Sequence, residues 1–456
     1  MEGTRVRVVT TRRVASPVVR GLVVASLVEQ QVAHIWRRMG FGPTAADLDH
    51  GIKVGPSALI EDLLTRKMTT PAQWAFPAGT DWQAMVAYLG RQFELMRSSP
   101  NPLQERLAWI LQGIVVVGLS DSVSFTELRG HLGRLRVNPM GSYTQLLRDT
   151  AIMPAMMQYL NGDENSADHP NQNYARELME LFSLGLKNPV TGVQNYTQED
   201  VVQIARALTG YTFDWNTSTI SFDSSQFDSG NKTFFGVNHG NAGISQVITA
   251  ISQHPSFKYF VPARLYREFT GLNAPPATLQ QLGKLWGTTG DVRAVVSAIV
   301  KSPVFLSTAS MNSKVKTPVE LLVSGARAYG FDLTSSDYGW QLSTFMNQHP
   351  MMPPNVSGWP NGRIWLNAGV TMGWGSIVQD FASASMASGK GRVTELLQSA
   401  NKATAPTAAM RLCGLGTMSA TTSKALSSYV NANTWNRATA AGLLALVLVS
   451  PEFAIN

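Results

Sequence analysis

Two carboxylates three residues apart, Glu177 and Glu180, are the strongest chemical signal in this 456-residue chain. They lie in the run His169-Pro-Asn-Gln-Asn-Tyr-Ala-Arg-Glu-Leu-Met-Glu-Leu-Phe-Ser-Leu-Gly185, which reads as a helix entered at Asn171 and closed at Gly185. At about 100° per residue, Glu177 falls inside the apolar arc of Tyr174, Leu178, Leu181 and Phe182. Glu180 sits at the edge of that arc and Arg176 on the polar side. A carboxylate on an apolar face must find a partner or shift its pKa. One reading is catalytic: Glu177 and Glu180 form an acid–base pair beside Arg176, and His169, Asn171 and Asn173 bind a polar substrate at the helix entry. The other is structural: Glu177 pairs with an arginine such as Arg206 of the next helix and locks the two helices together.

A second group is Asn355-Val-Ser-Gly-Trp-Pro-Asn-Gly-Arg-Ile-Trp-Leu-Asn367. Trp359 and Trp365 offer flat apolar faces, while Asn355, Arg363 and Asn367 offer planar hydrogen-bonding groups, a combination that suits a sugar ring. The same residues suit a rigid loop whose tryptophans fill the core while Pro and Gly set the turns. A glycan ligand is one expectation for this loop and core filling the other.

The seven histidines show no His-x-x-His or His-Glu-x-x-His spacing. Asp223, Asp228 and His239 come nearest to a ligand set, but the oxygen-rich stretch 214–231 has no calcium-hand loop, so no metal and no cofactor are expected. There is no Walker A loop and no G-x-S-x-G elbow, and Gly414-Leu-Gly416 lacks a third glycine. Lys314, Lys316 and Glu320 read as a solvated helix start, with Lys316 and Glu320 spaced to pair.

Composition narrows the class further. An apolar fraction of 44% with 15% charged residues describes a globular protein. The net charge of +7 is spread along the chain without a basic run, which argues against nucleic-acid binding. One cysteine, Cys413, excludes an internal disulfide and a cysteine-built zinc site. No stretch reaches the roughly 18–20 apolar residues of a membrane span. Arg12 and Arg13 precede a stretch that resembles a twin-arginine export signal, but Pro17 and Arg20 interrupt it and no A-x-A site follows. Residues 1–30 therefore read as a basic arm or a degenerate export signal, with the compartment open between cytoplasm and export.

The elements that must position these groups are nearly all helical. Apolar periodicity predicts helices near 32–39, 45–48, 57–64, 81–96, 125–135 and 142–151, and a buried apolar run at 103–119. Thr197-Gln-Glu-Asp200 is a near capping box opening a helix that Gly210 closes. Near 212–235 the composition shifts to Ser, Thr, Asp and Phe with alternation, predicting a small β-hairpin or irregular insertion. Three apolar helices stop at a proline followed two residues later by Phe257, Phe305 or Phe453. The expectation is a mainly α fold, with residues 31–456 as a single helical domain.

The run 173–185, with Tyr196-Thr-Gln-Glu-Asp-Val201 and Ala205-Arg-Ala-Leu-Thr-Gly210, closely resembles the bacterial family called domain of unknown function 1800. His34-Ile-Trp-Arg-Arg-Met-Gly-Phe-Gly-Pro43 looks like its opening motif; Lys232-Thr-Phe-Phe-Gly236, Lys316-Thr-Pro-Val-Glu320 and Pro353-Pro-Asn-Val-Ser-Gly-Trp-Pro360 look like later ones. The resemblance covers most of the chain. It implies a mostly helical bacterial protein, often exported and often encoded beside a sulfatase-like partner, with no established reaction. The chain departs from the family pattern at Gln112-Gly-Ile-Val-Val-Val117, where members tend to carry Trp-His-Asn-His, and at Phe227-Asp228, where they tend to carry His-Asp. Those departures favour a binding or assembly role at the cell envelope. The alternative is a hydrolase or lyase of an envelope or extracellular polymer, with Glu177 and Glu180 as acid and base.

Overall fold

Local sequence sets where the helices begin. In the computed structural model, which describes residues 23–70, 81–334, 337–387 and 391–456, helix after helix opens on a side-chain cap. Thr44, Ser124, Thr197 and Thr317 each accept a first-turn N–H, and an acid three residues on returns the bond to the cap's own N–H. The Thr197–Asp200 box forms as its sequence predicts, Asp200 Oδ2 accepting from Thr197 N at 2.7 Å.

The described residues form 21 α-helices and three two-stranded antiparallel sheets, so the fold is mainly α. The expected insertion is a hairpin of Tyr211–Asp214 with Thr219–Phe222, followed by a smaller one of Thr233–Phe234 with Val237–Asn238. The third sheet pairs Val23–Val24 with Thr417–Met418, and the Leu27–Met39 helix begins directly after it. The last residues of the sequence-defined arm are thus part of the fold; positions 1–22, including the arginine pair, lie outside the described residues.

The Leu27–Met39 helix packs against Ala45–Val54, Pro56–Thr65, Pro102–Gln112 and Phe260–Thr270. Toward the other end of the chain, Ala368–Ala387 packs on Pro318–Tyr329, Tyr338–Met346 and Arg437–Leu448. One continuous apolar core joins these groups. Phe257, Phe305 and Phe453, each two residues past a helix-stopping proline, turn back into it and are buried. Among the described residues no helix is long and apolar enough to cross a membrane.

Two elements are shorter than their sequence patterns. The central helix spans Gln172–Glu180 and does not reach Gly185. Its end widens instead: Phe182 N donates to Glu177 O, Leu184 N to Met179 O at 2.7 Å, and Ser183 Oγ to Leu178 O at 2.6 Å. Gly185 then takes φ 75°, where a Cβ would strike the Phe260 ring. The apolar run 103–119 is helical only over Pro102–Gln112. Beyond it Ile114 to Val117 are buried in irregular backbone, tied down by Leu119 N on Met351 O and by His131 Nε2, which donates to Val115 O at 3.0 Å.

Candidate functional site

The central helix holds its two carboxylates against different surroundings. Tyr196 donates its hydroxyl to Glu180 Oε2 at 2.8 Å; burial, and then this bond, push the tyrosine's own pKa up. Glu177 is half-buried and receives no hydrogen bond or ion pair among the described residues. Burial first, then the charge of Glu180, raise its pKa, and Arg176 only partly opposes them. The Glu177–Arg206 lock does not form. Arg206 instead grips Asp228 with two N–H groups, at 2.6 and 3.0 Å, and reaches Gln203 at 2.8 Å. The sequence reading failed here because Asp228 approaches from the hairpin insertion, which no helical spacing places.

The turn before the helix is occupied with its own backbone. Asn171 caps the helix through Asn173 N and donates to the carbonyls of Leu160 and Asn161 at 2.9 and 2.6 Å. Arg176 reaches Gln198 at 2.9 Å, and His169 and Asn173 are exposed. A raised carboxyl pKa means that the fold favours the neutral form. The stability this gives is present below the ordinary carboxylate range and lost as pH rises through the folded-state pKa. At neutral pH the charge is therefore a small liability, and Glu177→Gln is expected to leave stability unchanged or raise it by about 1 kcal/mol or less. Thermal melts at pH 7 check this; a drop of several degrees would contradict it.

The Trp359 loop is brought against the helix that ends at Gln112. Trp359 stacks on Trp109, ring centroids 5.5 Å apart and planes inclined by 25°. Trp365 is buried and donates its indole N–H to Pro360 O at 2.8 Å. Asn355 accepts from Ser357 N, and Asn367 caps the following helix through Val370 N while donating to Ile364 O. Arg363 is exposed. Of the loop residues picked from sequence, Trp359 is the one that lines the cleft shared with Trp109, Arg264, Arg267, Lys314 and Gln348.

Behind that cleft lies a charge network that sequence reasoning missed. Glu320 contacts Arg106 Nη1 at 2.5 Å and Lys314 Nζ at 3.1 Å, and Lys314 also holds Glu268 at 2.5 Å. Burial alone raises the Glu320 pKa, but Lys314 and Arg106 outweigh it and hold the carboxyl well below its usual range. Arg38, fully buried, donates to Ser310 O, Asn456 O and Glu268 O at 3.2–3.3 Å and to Ser313 Oγ at 2.9 Å; burial, then Arg106, pull its pKa down to about 9. Lys316 corrects the reading of a solvated helix start. It is buried with Nζ 3.6 Å from the Phe453 ring centroid, while Glu320 serves Arg106 and Lys314. The signal that could have found this network was Arg264, Arg267 and Glu268 gathered on one short helix, Phe260–Thr270.

A wider pocket of about 800 Å³ is lined by Tyr196, Thr197, Asp200, Phe235, His239 and His254. Its acid is already engaged: Asp200 accepts from Thr197 with one oxygen and from Phe235 N, at 2.6 Å, with the other. No group of three His, Cys, Asp or Glu side chains is gathered for a metal among the described residues. Asp223 is turned onto Ser225, Asp228 onto Arg206, and His239 stacks on Phe234. Gln112, at the end of the Pro102–Gln112 helix, donates to Pro350 O at 2.5 Å.

No curated protein and no solved structure matches the chain. Its motifs in their order, the helical fold that carries them and a match over residues 34–455 agree: the chain belongs to the family described as protein of unknown function DUF1800.

Proposed function

We propose that the chain acts by binding, in an assembly role at the cell envelope, with the cleft beside Trp359 holding part of a saccharide polymer. One juxtaposition supports this reading: a stacked Trp109–Trp359 pair lines the same cleft as Gln348, Thr317 and Arg264. Flat apolar faces next to planar hydrogen-bonding groups are the chemistry that holds sugars. The cavity itself is about 60 Å³, room for a few waters' worth of ligand, so one functional group enters and the rest lies over the exposed loop around Asn361 and Arg363. A sulfatase-like protein is the partner that the family resemblance implies for such an assembly. Screening the full chain against soluble envelope polysaccharide fragments tests the reading. Trp359→Ala should weaken binding of a hit by about tenfold or more, a loss of at least about 1.4 kcal/mol, with the helical circular dichroism unchanged. Undiminished affinity in that variant, or no hit at all for the wild type, removes the proposal.

The second reading is a polymer hydrolase or lyase. The observation that favours it is the unpartnered Glu177, its pKa raised, beside a Glu180 already held by Tyr196. In that role Glu177 is the acid and Glu180 the base. Turnover of a bound polymer that survives Glu177→Gln would rule this reading out.

A further inference from the structure

We infer that the cleft beside Trp359 is an oxyanion site: the group entering it is a carboxylate, phosphate or sulfate. The inference rests on the reading of this cleft as the binding site and names the chemistry of what it takes.

The charge balance is the first argument. Glu268, which itself lines the cleft, and Glu320 are the side-chain carboxylates of the network; Lys314, Arg106, Arg38 and Arg264 lie near them, and Arg267 lines the same cleft. Lys314 is satisfied by both acids and Arg106 by one. Arg38 lies near both acids and donates to Asn456 O, whereas Arg264 and Arg267 form no salt bridge among the described residues. Arg264 directs its N–H groups at Gly113 O, 2.7 Å away, and more loosely at Leu181 O, 3.4 Å away. The Arg267 side chain has no hydrogen-bond or ion-pair partner among the described residues and stands exposed at the cleft mouth. Carbonyl dipoles only partly replace a counter-charge, and buried cations without one are costly.

Unmet donors are the second, independent argument. Gln348, 1% exposed, lines the cleft and accepts from Val319 N with Oε1 at 3.0 Å. Its amide nitrogen has no partner among the described residues. The Trp359 indole N–H, at the same cleft, is buried without an acceptor among the described residues. A small site bordered by unsatisfied donors and surplus positive charge matches a group that offers only acceptors and carries negative charge. The Trp stack beside it then meets the uncharged body of the ligand.

Lys314→Met is the obvious variant but strands Glu268 and takes one partner from Glu320, so the test uses Arg267→Gln, whose side chain has no partner among the described residues. The full chain is titrated at constant ionic strength with inorganic phosphate, with glucuronate and with glucose, reading tryptophan fluorescence and the thermal midpoint. Saturable binding of phosphate or glucuronate at millimolar concentration, weakened about tenfold by Arg267→Gln, is the expected result. Tighter binding of glucuronate marks an anion carried on a saccharide, and tighter binding of phosphate a free anion. Anion binding indifferent to Arg267→Gln overturns the inference. Glucose binding lost in Trp359→Ala, with neither anion bound, overturns the inference and leaves the saccharide reading standing. If none of the three ligands binds, both fall.

Discussion

Glu320→Gln is expected to cost about 3–5 kcal/mol of folding stability, because it leaves Arg106 buried without its counter-charge and Lys314 with Glu268 alone. The substitution is close to isosteric. It keeps an acceptor for the Thr317 N–H, which Glu320 Oε2 takes at 2.8 Å in the capping box. The loss therefore reports on the charge and not on the cap. Arg106 is 1% exposed, and solvent cannot take over. Urea denaturation of the two proteins at pH 7 measures the difference directly. Adding Arg106→Met to Glu320→Gln should recover part of it, since that change removes one stranded cation. A loss below about 1 kcal/mol would mean that the network is hydrated and behaves like a surface pair.

Acidification is expected to destabilise the fold well before its carboxylates titrate. His131 is fully buried, donates through Nε2 to Val115 O at 3.0 Å and has Nδ1 without a partner. Burial lowers its pKa from 6.5 to about 4. The unfolded chain takes up the proton near its ordinary value, while the folded chain resists until about pH 4. The stability is thus fully present above the unfolded pKa and is lost as pH falls through this window. At about 1.4 kcal/mol per pH unit per group, His131 alone accounts for about 3 kcal/mol. His34 adds to this in the same direction: burial, then Arg38 and Arg37, hold its pKa well below normal. Stability measured by urea at pH 7 and pH 4.5 should fall accordingly. His131→Gln, which keeps a donor near Val115 O, should show a shallower fall. An identical pH slope in the two proteins would mean that His131 is not held neutral.

Much of the fold was readable without coordinates because its signals are local. A cap and its acid are three residues apart, as in Thr197 and Asp200, so one turn of helix decides the bond. The proline stops that send Phe257, Phe305 and Phe453 inward act within a few residues. The order of motifs from His34 to Phe453 likewise needs only the chain, and it sufficed to identify the family. The candidate chemistry was less readable. Helical spacing placed Glu177 inside an apolar arc, where it is half-buried, but it could not say whether Arg206 would turn toward it or toward Asp228.

Tertiary structure alone decided that partner, the burial of Lys316 and the existence of the cleft. Trp109, Arg264, Lys314, Gln348 and Trp359 come from separate stretches, and the bond from Arg264 to Gly113 O spans 151 residues. Whether a charge is solvated or buried depends on what distant segments bring to it. Lys316 reads as exposed in a polar stretch, until the helix ending at Leu448 carries Phe453 over it. Periodicity and capping are properties of neighbours in sequence. Desolvation and ion pairing are properties of neighbours in space, and in this protein they are what turn a helical scaffold into a candidate site.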